Sequence, residues 1–231
     1  MTPDLNLGRL IDGAIRDTLE LSLPHFRPEL CLAATVVLLL LCRMLPVFRR
    51  LDAAWIALGG VAWAGWYAWS DCLRLSGSAW VGAGGDLLPG RLEIFGGLLA
   101  FDSLTAYVRL LLCGFLVLFV LLTKISGIPD REDGADFYTL VLGATVGMCM
   151  MAAANHVLTV FMAVEMASVP SYALAGLLKG RKASSEAAIK YAVYGAGAAG
   201  IMLYGLSLLA GVLGSCHLPT MARQLAALEA G

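Results

Sequence analysis

The chain has 231 residues, 59% of them hydrophobic and 14% charged, with a formal net charge of −1. Soluble domains carry about 25% charged residues, and the mean hydropathy here is +0.80, so the composition is that of an integral membrane protein. There is no basic excess to neutralise phosphates, which excludes nucleic acid as a partner class.

The amino-terminal lead, residues 1–29, is polar and contains prolines. The first apolar run begins only near Cys31, so no cleavable signal peptide is expected. A helical pattern over Leu5–Leu21 fits a segment lying along the membrane surface. A spanning helix needs about 20 apolar residues. Six stretches meet that need: Leu30–Val47, Ala53–Leu73, Ser103–Ile125, Phe137–Ala154, Val157–Leu178 and Ser185–Leu213. In hydrocarbon the backbone groups must be satisfied within the segment, so these runs are helices. The fold class is all-α, an integral membrane protein of about six transmembrane helices.

Short connections set the expected orientation. Arg43, Arg49 and Arg50 follow the first span, Lys124 and Arg131 the third, and Lys179, Arg181 and Lys182 the fifth. Lys and Arg near helix ends favour the cytoplasmic side, which puts the amino terminus outside. Trp63, Trp66, Tyr67 and Trp69 gather toward the outer end of the second span, as an interfacial belt does. Spans one and two fill residues 30–75. The outer loop, residues 76–102, is glycine-rich, and Arg91–Phe95 followed by Gly96-Gly97 reads as a short hairpin. Asp102 and Ser103 are suitable caps for the third span. Asp130, Glu132, Asp133 and Asp136 sit where they suit the positive end of the fourth.

The sixth span carries Tyr194-Gly-Ala-Gly-Ala-Ala-Gly200 and Gly205, small residues that let membrane helices approach closely. A nucleotide-binding glycine motif would need a preceding strand, and none is expected there. In the tail, residues 215–231, Leu218, Met221, Leu225 and Leu228 recur at helical spacing after a Pro219-Thr220 start signal. This reads as an amphipathic helix on the outer surface.

The cysteines form no CxxC pair, so zinc and iron–sulfur spacings are absent. Cys72 and Cys216 share the expected outer side, but spacing alone does not make a disulfide. His25, His156 and His217 also fall outside, without the spacing of a metal site.

Two ionisable groups stand inside the apolar runs. Glu165 is near the middle of the fifth span, and a charge at that depth costs roughly 2.5–3.5 kcal/mol or more. Read blandly, it is a neutral buried acid bonded to hydroxyls; read functionally, it takes up and releases a proton. Pro170, five residues on, removes a backbone donor and frees the carbonyl of Met166, with Ser168 and Ser171 close by as relay hydroxyls. Lys190 lies roughly 8 Å into the sixth span. Glu186 precedes it by four residues, so a helix pair with a snorkelling lysine competes with a functional role. The depths of Glu165 and Lys190 differ, so direct contact needs a bent helix or intervening water. Arg109, in the third span, is expected to snorkel outward.

Four stretches carry a resemblance: Phe95–Asp102, Ala135–Ala154, Asn155–Tyr172 with Glu165, and Ser184–Tyr191 running into Tyr204–Leu208. Together they resemble subunit N of the proton-pumping NADH:quinone oxidoreductase, respiratory complex I, of the antiporter-like group. The resemblance implies a partial antiporter-like bundle over residues 103–214, with Glu165 as the glutamate of a proton half-channel and Lys190 as the family lysine on the sixth helix. It implies no cofactor in this chain, with NAD, FMN, iron–sulfur clusters and quinone held by partner subunits. The implied partners are other membrane subunits of complex I. Family members have about fourteen helices built on inverted repeats, so a second chain supplying the missing helices is also implied. The implied location is the inner (plasma) membrane. Two rival functions remain: a subunit of a cation/proton antiporter, and a non-catalytic membrane scaffold or fragment. The Ser185-Glu186-Ala187-Ala188 stretch before Lys190 weighs against the antiporter.

Overall fold

A computed structural model describes residues 13, 15–45, 52–76, 91–127, 133–178 and 181–229. The elements in order are α1 (Asp17–His25), α2 (Arg27–Met44), α3 (Ala53–Ser76), β1 (Leu92–Ile94), β2 (Leu99–Phe101), α4 (Ser103–Ser126), α5 (Gly134–Ala153), α6 (Val157–Ala175), α7 (Lys182–Leu213) and α8 (Leu218–Glu229). Most of the Leu5–Leu21 pattern lies outside the described residues, as do Arg49, Arg50, Asp130, Arg131, Glu132 and Lys179.

All six expected spans are helices, α2 to α7. Four of them, α4 to α7, are long and apolar enough to cross a membrane by length and composition, and the bent pair α1–α2 passes the same test when its two helices are taken together. The remaining helix, α3, has 24 residues and is rich in alanine, glycine and tryptophan. Its burial pattern explains that composition. Ala57, Val61, Ala64 and Ala68 are fully buried along one face, while Trp55, Trp63, Trp66 and Trp69 are exposed. In lipid, helices associate through close packing and small residues rather than by escaping water. The alanines allow the approach and the indoles face outward.

Helices α2 to α5 form the main cluster, with Leu32, Leu39, Val61, Leu116, Val120 and Leu142 at its centre. α6 packs on α5, and α7 on α6. α1 meets α2 at 83°. Pro28 explains the break: it has no N–H for the carbonyl four residues back, and its ring clashes with that turn. Asp102 caps α4 by accepting from the Thr105 backbone N–H at 2.8 Å, and Gly127 ends that helix in the left-handed region (φ 68°).

The connections sort to two ends. β1 and β2 pair antiparallel, Glu93 opposite Ala100, around a turn in which Phe95, Gly96 and Gly97 all have positive φ. Glycine adopts such φ without the penalty a side chain brings. The hairpin bridges to the α5–α6 turn (Leu99 with Ala154), and that turn bridges to the α7–α8 turn (His156 with His217). At the opposite end Arg43 pairs with Asp136, and Lys124 with Asp52 at 3.0 Å. Arg181 and Lys182, at the start of α7, follow the end of α6 there.

Candidate functional site

Glu165 lies in the middle of α6 and is half-buried. Its helix is held very close to α5 by Gly147. A Cβ built on that glycine would fall 2.7 Å from the Ala167 nitrogen and 3.0 Å from the Ala163 oxygen. No side chain larger than hydrogen fits there, so Gly147 sets the distance between the two helices on either side of the Glu165 turn. Pro170 stands inside α6 without ending it.

The hydroxyls beyond Glu165 continue toward α7. Ser168 donates to the Val164 carbonyl at 2.8 Å and Ser171 to the Ser168 carbonyl at 2.6 Å. The Ser171 hydroxyl also lies 3.3 Å from the Tyr191 hydroxyl, and Tyr172 meets Tyr191 edge to face at 4.6 Å. Tyr172 further fills the notch left by Gly195. The close approach expected along Tyr194–Gly200 therefore falls at Gly195. Gly197, Gly200 and Gly205 have no atom of this chain within 4 Å of a built Cβ.

Lys190 is exposed and paired with Glu186 at 2.5 Å. The helix pair named as the bland alternative is thus formed. The Ser171–Tyr191 contact puts Lys190 about level with Tyr172. Glu165 is seven residues back toward the start of α6, roughly 10 Å at 1.5 Å per residue. The fold brings the two groups onto adjacent packed helices but not into contact. The Ser168, Ser171 and Tyr191 hydroxyls lie between their levels.

Arg109 overturns its expectation. It is fully buried, not snorkelling, with its Nε 2.5 Å from Glu29 Oε1, and Glu29 is equally buried. Nη1 donates to the His25 carbonyl at 3.1 Å, and the guanidinium lies 5.6 Å from the Phe101 ring centre. Asp71 adds a second carboxylate in electrostatic range. The physical reason is that a long outward reach is unnecessary when a carboxylate of another helix stands at the same depth. Sequence reasoning missed Glu29 by starting the first span one residue later. The available signal was three charged residues, Glu29, Asp71 and Arg109, each within about two turns of the same end of its helix.

Asn155 was also missed. It is fully buried in the α5–α6 turn. Arg91 donates to its Oδ1, and its Nδ2 faces the Gly97 carbonyl (3.1 Å), Glu93 Oε1 (3.2 Å) and His217 Nε2 (2.9 Å). Its backbone oxygen accepts from Leu218 at 3.0 Å. One residue thereby ties the hairpin, the start of α6 and the start of α8. Among the described residues no group of three His, Cys, Asp or Glu side chains could hold a metal ion, and all six cysteines are free.

The family described as NADH:quinone oxidoreductase/Mrp antiporter, TM, matches residues 154–230, which hold both Glu165 and Lys190. NADH-quinone oxidoreductase subunit N 2 of Sorangium cellulosum is 37% identical over 214 residues, 90% of this chain and 40% of the relative. The subunit N 2 of Symbiobacterium thermophilum is 35% identical over 86% of this chain and 38% of the relative. Among solved structures, respiratory complex I from Thermus thermophilus with bound aureothin superposes with a TM-score of 0.59 at 29% identity, over 86% of this chain and 41% of that one. The chain spans about two fifths of the length of the curated relatives it matches. With its helical membrane fold, this multi-pass chain belongs to the antiporter-like family of membrane subunits represented by subunit N of NADH-quinone oxidoreductase.

Proposed function

We propose that the chain is a membrane part of a proton-translocating NADH:quinone oxidoreductase, and that Glu165 and Lys190 are its proton-carrying groups. The observation that carries this reading is a half-buried carboxylate in the middle of a spanning helix, beside a helix bearing Lys190, in a chain of this family. Electron transfer from NADH to quinone belongs to partner subunits holding FMN and iron–sulfur clusters. This chain contributes the proton step. A change in the surroundings of Glu165 alters its proton affinity, and about 1.4 kcal/mol moves a pKa by one unit. Water between the Ser168, Ser171 and Tyr191 hydroxyls would carry the proton over the roughly 10 Å offset. The chain sits in the inner (plasma) membrane. The Arg43, Lys124 and Lys182 end is cytoplasmic and the hairpin end outside, as the distribution of cations supports. Other membrane subunits of the complex complete the path.

The test is Glu165→Gln in the assembled complex. Proton pumping should fall by more than about tenfold, the scale of losing an acid–base group, while a native gel shows unchanged assembly. An assembled variant that pumps at the unmodified rate would leave the scaffold reading in its place.

A further inference from the structure

The His217 side chain occupies a position that two protonation states cannot share. Its Nδ1 is 3.0 Å from Thr220 Oγ1, and its Nε2 is 2.9 Å from Asn155 Nδ2 and 3.2 Å from Glu93 Oε1. Arg91 donates to Asn155 Oδ1, which fixes the amide so that Nδ2 faces His217. An amide nitrogen has two hydrogens, yet three acceptors surround this one: His217 Nε2, the Gly97 carbonyl and Glu93 Oε1. In the neutral tautomer that carries its proton on Nδ1, Nδ1–H donates to Thr220 and Nε2 accepts from Asn155. With both nitrogens protonated, imidazole is a donor only. Nε2–H then opposes the Asn155 N–H, and Glu93 Oε1 is the acceptor within reach.

We propose that His217 is a proton-operated latch at the hairpin end of the molecule: neutral, it is bonded to Asn155 at the start of α6; doubly protonated, it lets Asn155 go and bonds to Glu93 on the hairpin. The backbone bonds from Leu218 to Asn155 (3.0 Å) and from Val157 to Cys216 (2.9 Å) keep the turns together in both states, so the exchange is one of side chains. The charged and titratable groups around it are Glu93 and Arg91 from the hairpin, His156 from the facing turn, and Arg223 from α8. Arg223 reaches Thr220 Oγ1 at 3.3 Å, and His156 Nδ1 is occupied by the Leu158 N–H at 3.2 Å. When it exchanges, the His217 side chain bonds to the hairpin instead of to Asn155, which precedes the helix that carries Glu165. The latch does not rest on the proton-translocating reading.

The experiment is NMR of the full chain in lipid nanodiscs, following the Asn155 side-chain amide and the His217 ring from about pH 8 to about pH 5, the range in which imidazoles titrate. Both signals should move together with one midpoint. In His217→Gln, whose side-chain oxygen still accepts from Asn155, the Asn155 signal should be flat, and in His156→Gln it should respond as in the unmodified chain. Circular dichroism checks that each variant is folded. A flat Asn155 signal while His217 titrates overturns the latch, and so does a pH response that survives in His217→Gln. The unmodified chain alone decides the matter if a variant does not fold.

Discussion

Glu29 and Arg109 face each other with no solvent at either side chain. Removing one partner of such a pair leaves a bare charge in a low dielectric, which destabilises by about 3–5 kcal/mol, whereas removing both is often nearly neutral. Arg109→Met and Glu29→Met should each lower the unfolding midpoint in micelles, and the double variant should recover most of the loss. Equal losses in all three would show that the pair acts through packing alone. Lys190 is the opposite case. Its pair with Glu186 is about two-thirds exposed on both sides, and exposed pairs contribute about 0–1 kcal/mol. Lys190→Met should therefore leave the thermal midpoint within a degree or two of the unmodified chain. On the proposed function, its pumping should still drop. Unchanged pumping would return Lys190 to the role of a surface lysine.

Among the elements, the contact between α5 and α6 is the tightest and the most specific. Gly147→Leu would force α6 away from α5 across Ala163, Met166 and Ala167. Overpacking of this kind costs about 1–3 kcal/mol. Gly197→Leu, where a new side chain meets open space, should change stability by no more than about 0.5 kcal/mol. Unfolding curves of the two variants in one lipid environment compare them directly, and equal losses would mean that Gly197 faces a packed surface within the chain. The helices themselves were legible because runs of apolar residues of spanning length have few other fates in lipid. The Asp102 cap and the Gly96-Gly97 turn were legible for local reasons, a side-chain acceptor and a positive φ. The glycine that matters most was not. Gly147 lies among other small residues in α5, and only the facing backbone distinguishes it from Gly143, which has nothing within 4 Å.

At the scale of the whole molecule, the sequence carried the class of fold and the likeness to its family but not the long-range pairings. Glu29 and Arg109 are 80 positions apart, and nothing local says that they share a depth. Asn155 reads as one polar residue in a turn until the hairpin, α6 and α8 converge on it. Glu165 and Lys190 were legible as charges out of place, while their offset depended on the register of α6 against α7. α7 itself shows much of its surface: Val193, Tyr194, Ile201 and Val212 are 66–78% exposed. On the proposed function that face meets another membrane chain. A photo-crosslinking residue at Ile201 should then form a protein adduct in native membranes, where lipid adducts alone would count against a neighbouring chain.

α7 has 32 residues and α6 has 19, so α7 is about 48 Å long and its neighbour about 28 Å. A hydrocarbon slab of about 30 Å fits the shorter helix nearly upright. The longer one must incline, bend or project, and how far it does so follows bilayer thickness. Lys190 is eight residues from the start of α7, so any change of inclination carries its ammonium in or out of the headgroup region. Acyl-chain length thereby becomes a control on that lysine's depth. On the proposed function, proton flux of the complex in vesicles of graded thickness should vary with Lys190 in place and vary less in Lys190→Met.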